Sequence, residues 1–464
     1  MHELGSFFAQ LRQFFPPEHS LSYLRAELVP IWQTVEIAAG AMLFALSFGI
    51  LLALIIGARL PGSRALYALL AALRSIPDLT LAILCVVIVG IGPGAGMLAI
   101  ALYYGAAMGK VGGDLFLSAD PGPVESLSST GATRFTVAFY GLLPLRLKDL
   151  MTSGAYDFEC AIRAAVVVGA VGAGGIGTEL VGTINETYYQ RSATLVLLLV
   201  VLIAGFDKLT WLVRKHPRLL LGFLVLGVYS AWDLWPRMFA YSQTIRVLQG
   251  MWPPKLSPEQ IHGLPQLVGE TLLIAFAGTA LAVLLAVPLG AAAARNLAPP
   301  FFHAPVRRFL EALRAVPEVI WGLILVSSAV MGARAGIFAL ALHGTGVFGK
   351  LYAESIENVQ PEPVLALAAT GAPGIVVASY GLMPLAFPPM AIQTLFRFEW
   401  NIRAATVVGM IGAGGLGQAL YNAQQLFFYD QMLAYLIVTW VFVVVVDLAN
   451  SQLRKRWRVT EGRI

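Results

Sequence analysis

Charge is what this 464-residue sequence has least of. Only 12% of its residues are Asp, Glu, Lys or Arg, against 58% hydrophobic, and the mean hydropathy is +0.75. Soluble domains carry about 25% charged residues. Buried surface also grows too slowly with length for a water-soluble core to hide this much apolar area. The composition therefore speaks against a large soluble enzyme and for an integral membrane protein. Cysteine is equally scarce: Cys85 and Cys160 make neither a disulfide framework nor a C-x-x-C metal site. The six histidines are scattered without ligand spacing, so no metal is expected. A net charge of +5 makes no case for nucleic acid, because the basic residues gather at the ends of apolar runs, where membrane topology puts them. No cleavable signal core is visible. Leu4, Phe7, Phe8, Leu11, Phe14 and Phe15 instead share one helical face, which suits a segment lying along a membrane surface.

What is abundant is apolar sequence in long runs: Thr34 to Gly57, Ala193 to Phe206, Leu219 to Ala231, Thr271 to Ala294 and Met432 to Leu448. A spanning helix needs ~20 largely apolar residues, which some runs supply alone and others with their flanks. Shorter runs broken by glycine lie between them, Leu79 to Ile91 with Met97 to Gly109, and Val319 to Met331 with Ile337 to Gly349. Each pair reads as two spans joined by a tight outer turn.

The chain also repeats itself. At an offset of 240, Arg74-Ser-Ile-Pro77 meets Arg314-Ala-Val-Pro317, and Gly109-Lys110 meets Gly349-Lys350. Phe158-Glu159 meets Phe398-Glu399, Arg163-Ala-Ala165 meets Arg403-Ala-Ala405, and Asp207 meets Asp447. No gap is needed from Arg74 to Asp207, so the chain is a fused duplication. Basic clusters follow the first, fifth and seventh spans and close the chain (Arg59 and Arg64; Arg214 and Lys215; Arg307 and Arg308; Arg454 to Arg458). With these inside, the count is about eleven spans, N-terminus outside and C-terminus inside. Matching loops of the two halves then face the same side, as a parallel duplication requires, with the unpartnered helix at Leu219 to Ala231 restoring the sense.

The loop Glu125 to Pro144, "ESLSSTGATRFTVAFYGLLP", reads as a short helix, a break at Gly131 and a second short helix ending near Pro144. "LALAATGAPGIVVASYGLMP", ending at Pro384, has the same layout. This arrangement resembles the cytoplasmic coupling loop of ABC importer permeases, the E-A-A…G…L-P motif. The stretches "YDFECAIRAAVVVGAVGAGGIG" and "FRFEWNIRAATVVGMIGAGGLG" are similar to phosphonate-type permeases of that superfamily. The resemblance covers both halves and implies an all-α integral membrane fold of the type I ABC importer kind, built as two tandem parallel repeats. It implies docking on an ATPase through Glu125, Ser129, Gly131, Ala132 and Pro144, and through Thr370, Gly371, Ala372 and Pro384. Leu365 stands where the second copy should carry the glutamate of Glu125, so the two contacts are not expected to be equivalent.

Glu159 with Arg163, and Glu399 with Arg403, are four apart on helices that must cross the membrane, so each pair shares a face. A charge at mid-bilayer costs roughly 2.5–3.5 kcal/mol on insertion scales, so such residues pair or line an aqueous path. Two readings stay open: structural ion pairs, or arginines across the pseudo-axis that favour passage of an anion. The glycine runs, with Gly172, Gly174, Gly175 and Gly177 and with Gly412, Gly414, Gly415 and Gly417, fit G-x-G-x-x-G. A dinucleotide site would need a strand before it and an acidic residue ~20 positions on, whereas here a span precedes it. Close helix packing and a tight outer break are expected instead. "GTGVFGKL" at Gly344 to Leu351 mimics a phosphate loop but has Leu351 where a magnesium-binding Ser or Thr belongs. Lys110 and Lys350 are read as membrane-edge lysines.

The expected organisation is a periplasmic amphipathic segment at 1–32, a first permease half at 33–215, a connecting helix and periplasmic linker at 216–262, and a second half at 263–464. The resemblance implies a bacterial inner-membrane importer subunit. It carries no cofactor itself: ATP and Mg belong to a separate ATPase, expected as two copies, and a periplasmic binding protein delivers a phosphonate, phosphite or phosphate. Methionine or a quaternary amine as cargo, and more distantly a secondary transporter driven by an ion gradient, remain as alternatives. A membrane enzyme is weaker still, because no nucleophile, metal cluster or paired acid recurs.

Overall fold

The computed structural model describes residues 12–216, 219–238, 244–327, 330 and 332–461. The expected amphipathic face at Leu4 to Leu11 lies outside them; Phe14 is buried against the Tyr189 ring, with centroids 5.1 Å apart. Every regular element among the described residues is a helix, and these residues divide into two compact units, 12–254 and 255–461.

In the first unit, α1 (Leu21–Ala26) leads into α2 (Leu28–Gly57). Then come α3 (Ser63–Ser75), α4 (Asp78–Val89), α5 (Pro93–Leu117) and the short α6 (Pro121–Ser128). A long helical run, α7 (Arg134–Ala173), follows, then α8 (Ile176–Asn185), α9 (Tyr189–Lys215), α10 (Leu220–Met238) and α11 (Thr244–Met251). The second unit holds α12 (Pro258–Ala293), α13 (Pro300–Ala315), α14 (Glu318–Ser327), α15 (Ala333–Glu357) and α16 (Pro361–Ala369). It closes with α17 (Gly374–Ala413), α18 (Gly415–Gln425) and α19 (Tyr429–Glu461). The repeat is visible in the bounds: α15 begins and ends at the residues 240 beyond those of α5.

Within each unit the first long helix packs against the glycine-rich one. A Cβ on Gly49 of α2 would sit 2.8 Å from the Met108 side chain of α5, and one on Gly290 of α12 would sit 2.9 Å from that of Tyr352 on α15. Small residues let membrane helices approach this closely, since packing rather than the hydrophobic effect holds helices together in lipid. The cores beneath the loops match with compensating sizes. Met108 and Phe116 pack with Ala53, Leu54, Leu142 and Leu150, and at the equivalent places Phe348 and Ile356 pack with Ala293, Ala294, Leu382 and Met390. The aromatic has moved from one layer to the next, which conserves volume.

Among the described residues five helices are long and apolar enough to cross a membrane, or up to seven if each bent pair counts as one span. This is an all-α, multi-pass membrane fold, but the expected count of about eleven is not met by that measure. Two physical reasons account for the gap. First, α4 and α14 have 12 and 10 residues, about 18 and 15 Å of helix against a hydrocarbon core of ~30 Å, and α3 meets α4 at 93° across Pro77. Second, α5 and α15 are long enough but rich in glycine and polar aromatics. Fifteen of the 25 residues are buried in each, so they are built for contact with protein rather than lipid.

Candidate functional site

Three groups of residues singled out in the sequence fall into three local structures, each built twice. The first is the loop. Asp120 caps α6 by accepting from the Gly122 amide at 3.1 Å, and no residue of α6 or α16 is buried. Glu125 and Ser129 lie on the exposed side of this helix, as Leu365 does on α16. Thr130 Oγ1 and Thr370 Oγ1 each donate to the carbonyl three residues back, of Leu127 and Leu367, both at 2.7 Å. Gly131 and Gly371 then turn the chain at φ +82° and +80°, a left-handed conformation that side chains resist. Ala132 and Ala372 follow, and the next helix is capped by Thr133 in the first unit.

The second short helix ending near Pro144 does not exist. The chain continues as one helical run from Arg134 to Ala173. Pro144 sits in the turn just after a wide π turn at Ala138–Leu142, and Pro384 follows the π turn Val377–Leu382. A proline lacks the amide that helix interiors need, and the local change of hydrogen-bond register absorbs it. A cavity of about 460 Å³ lies between the loop and the ends of α2 and α5, with Arg59, Glu125, Ser128 and Arg134 in its wall.

The second structure is the glycine break. The bend between α7 and α8 is 54°. Gly172, Gly174 and Gly175 have φ of +96°, +85° and +75°, and Gly412, Gly414 and Gly415 have +111°, +96° and +67°. Gly177 and Gly417 serve a different need: a Cβ on either would lie 1.9 Å from the carbonyl oxygen of Val166 or Thr406, so the two helix segments touch backbone to backbone. The amides that open α8 are capped from α2, where Gln33 Oε1 accepts from Gly175 N at 2.7 Å and Thr34 Oγ1 from Ile176 N at 2.9 Å. In the second unit Glu270 and Thr271 of α12 do the same for Gly415 and Leu416, at 2.9 and 3.0 Å. A side chain therefore occupies the place where a dinucleotide phosphate would bind. The other look-alike, Gly344 to Leu351, lies inside α15 and forms no loop at all.

The third is the ion cluster. Glu159 accepts from Arg163 as the spacing predicts, but a further acid joins: Asp207 Oδ1 on α9 lies 3.4 Å from the same guanidinium. The second unit repeats this with Arg403 Nη2 at 3.0 Å from Glu399 Oε1 and 3.2 Å from Asp447 Oδ2. Asn450 Nδ2 also donates to Leu395 O at 2.9 Å and to Glu399 Oε2 at 3.4 Å. The recurrence of Asp207 and Asp447 in the repeat was the available signal for this third member. Each cluster formally carries one positive and two negative charges, an arrangement suited to holding helices together and poorly suited to attracting an anion. Among the described residues no group of three or more His, Cys, Asp or Glu could hold a metal ion.

A family model described as "Binding-protein-dependent transport system inner membrane component" matches residues 45–215 and again 286–459. The chain belongs to this family. The double match places one permease domain in each half of the repeat. The permease is 30% identical over 404 residues, 82% of its own length and 76% of the other's, to "Phosphate-import permease protein PhnE" of Mycolicibacterium smegmatis. It is 40% identical over 190 residues, 41% of this chain and 69% of the other, to "Phosphite transport system permease protein PtxC" of Stutzerimonas stutzeri. A solved structure of "the MetNI methionine ABC transporter" in inward-facing form aligns with 18% identity and a TM-score of 0.40, covering 44% of the permease and 99% of that chain.

Proposed function

We propose that this permease moves a small phosphorus oxyanion, phosphate, phosphite or a phosphonate, into the cytoplasm as the membrane part of an ATP-driven importer. The observation that carries the cargo is the match over most of the chain to a phosphate-import permease, joined by the phosphite permease at 40% identity. One chain supplies both halves of the path. The exposed helices α6 and α16 with the turns at Gly131 and Gly371 dock on two copies of a separate ATPase. The polar segments after the glycine breaks meet a periplasmic binding protein. ATP-driven closure of the ATPase pair rocks the halves and alternates access.

The topology we favour counts each of α4 and α14 as a crossing. It gives eleven membrane segments with the N-terminus periplasmic and the C-terminus cytoplasmic, supported by the basic residues at the inner ends. The domain division at 33–215, 216–262 and 263–464 belongs to the same reading. Proteoliposomes holding the permease with its ATPase and binding protein test the cargo. ATP-dependent uptake of labelled phosphate or phosphite is expected. Uptake of methionine or a quaternary amine in their place would move the permease to another cargo class, and uptake by this chain alone under an ion gradient would remove the importer reading.

A further inference from the structure

At one set of equivalent positions the two halves differ in charge. Five places in the first half hold Arg74, Asp78, Tyr103, Asp157 and Cys160; 240 residues on stand Arg314, Glu318, His343, Arg397 and Trp400. The first set has a formal charge of −1 and the second +1, with histidine neutral. Asp157 lies within electrostatic reach of Arg74, whereas its counterpart Arg397 is itself a cation.

Local geometry fixes the state of the second set. His343, buried on α15, has Nδ1 2.9 Å from the carbonyl oxygen of Val316. A carbonyl only accepts, so Nδ1 carries the proton. Arg397 Nη2 lies 3.0 Å from Nε2, and a guanidinium only donates, so Nε2 presents its lone pair. The imidazole is therefore neutral, and Glu318 Oε2 stands 3.6 Å from the same nitrogen. The guanidinium also lies over the Trp400 ring, 5.4 Å from its centroid, a cation–π contact that orients its plane. Trp400 is 38% exposed, so this face of α17 is not sealed within its unit.

We propose that Arg397 is the group that contacts the oxyanion during passage, oriented by His343 and Trp400 and contributed by the C-terminal half alone. This rests on the phosphorus oxyanion reading above. A guanidinium presents planar, forked donors that match a phosphorus oxyanion two at a time. The two arginines found by repeat symmetry, Arg163 and Arg403, are each engaged by two carboxylates and hold helices instead. His343 is a positioning residue: it fixes the guanidinium.

The test uses the complete transporter in proteoliposomes, with inorganic phosphate as probe, reading uptake against phosphate concentration and ATP hydrolysis stimulated by the loaded binding protein. Arg397→Gln is expected to lower uptake by about tenfold or more, the scale of one lost charge-assisted hydrogen bond, while stimulated hydrolysis persists. Arg397→Lys keeps the charge but not the fork and falls between. His343→Gln, whose amide oxygen can still accept from Arg397, retains more uptake than His343→Phe. Wild-type uptake by Arg397→Lys and Arg397→Gln overturns this proposal and leaves the cargo reading standing. If the unaltered transporter moves methionine or an amine but none of phosphate, phosphite or phosphonate, both fall together. Should Arg397→Gln fail to assemble, the Arg397→Lys and His343 pair decides by the same readouts.

Discussion

Arg403 Nη2 sits 3.0 Å from Glu399 Oε1 on its own helix, and Asp447 Oδ2 of α19 takes the same nitrogen at 3.2 Å. With Arg403 at 10% and Glu399 at 12% side-chain exposure, the cluster is largely withdrawn from solvent. Removing the cation alone leaves two carboxylates without the guanidinium they share. Breaking a buried pair from one side costs about 3–5 kcal/mol. Arg403→Ala is therefore expected to lower thermal stability in detergent severely, and Arg163→Ala to do the same in its own unit. Combining Arg403→Met with Glu399→Gln and Asp447→Asn removes all three charges and should recover most of the loss. A single Arg403→Ala protein as stable as the unaltered permease would show that the cluster does not hold α17 to α19.

The glycine break gives a sharper steric expectation. Gly177→Ala and Gly417→Ala each drive a methyl to within 1.9 Å of a backbone carbonyl, where neither partner is the end of a flexible side chain. Both should abolish the folded permease. Gly182→Ala, in the same α8 with nothing within 4 Å of the added carbon, should leave yield and melting temperature unchanged. Yield and thermal unfolding of the three variants in detergent decide the point.

The cap on α18 is charged and that on α8 is not. Glu270 accepts from Gly415 N where Gln33 accepts from Gly175 N. Losing such a cap costs about 1 kcal/mol. Glu270→Gln should therefore be nearly silent, because it recreates the arrangement of the other half, and Glu270→Ala should destabilise. Amide exchange at Gly415 reads this directly: faster exchange is expected in Glu270→Ala alone.

The loops should part company in salt. If the loops dock as proposed, Glu125 offers the ATPase a carboxylate and Leu365, 64% exposed, offers an apolar contact. Attraction between exposed charges is screened by ions. Glu125→Ala should weaken ATPase binding at low salt and flatten its salt dependence, whereas Leu365→Ala should weaken binding without altering that dependence. Titration of the ATPase at low and high salt measures both.

Much of this molecule was legible because duplication writes the same constraint twice. The left-handed turns at Gly131 and Gly371 recur at the repeat offset, and so do the glycine breaks and the Glu–Arg spacing of four, so each could be read before any coordinates. What escaped depends on contacts between distant segments. Asp207 joins Arg163 from 44 residues away, and only its recurrence as Asp447 hinted at a role. The π turn ahead of Pro144 left no mark, since proline there reads as a helix end when its amide register is unknown. The number of membrane segments is not settled by length and apolarity: five to seven of the described helices meet that measure, because a short apolar run such as α4 reads equally as a span or as half of a bent pair. Arg397 and His343 escaped for the opposite reason: they break the repeat, and a search for recurrence passes over them.

In the importer proposed above, the doubled permease presents both exposed loops to the ATPase on one side of the membrane. Single cysteines at Ser129 and Thr370, placed in turn in a chain with Cys85 and Cys160 replaced by Ala, test it when a membrane-impermeant maleimide is added from each side of right-side-out and inverted vesicles. Both positions are predicted to react only from the cytoplasmic side, with protection when the ATPase is bound. Reaction from the outer side, or from opposite sides for the two positions, would contradict the parallel duplication and the importer architecture together.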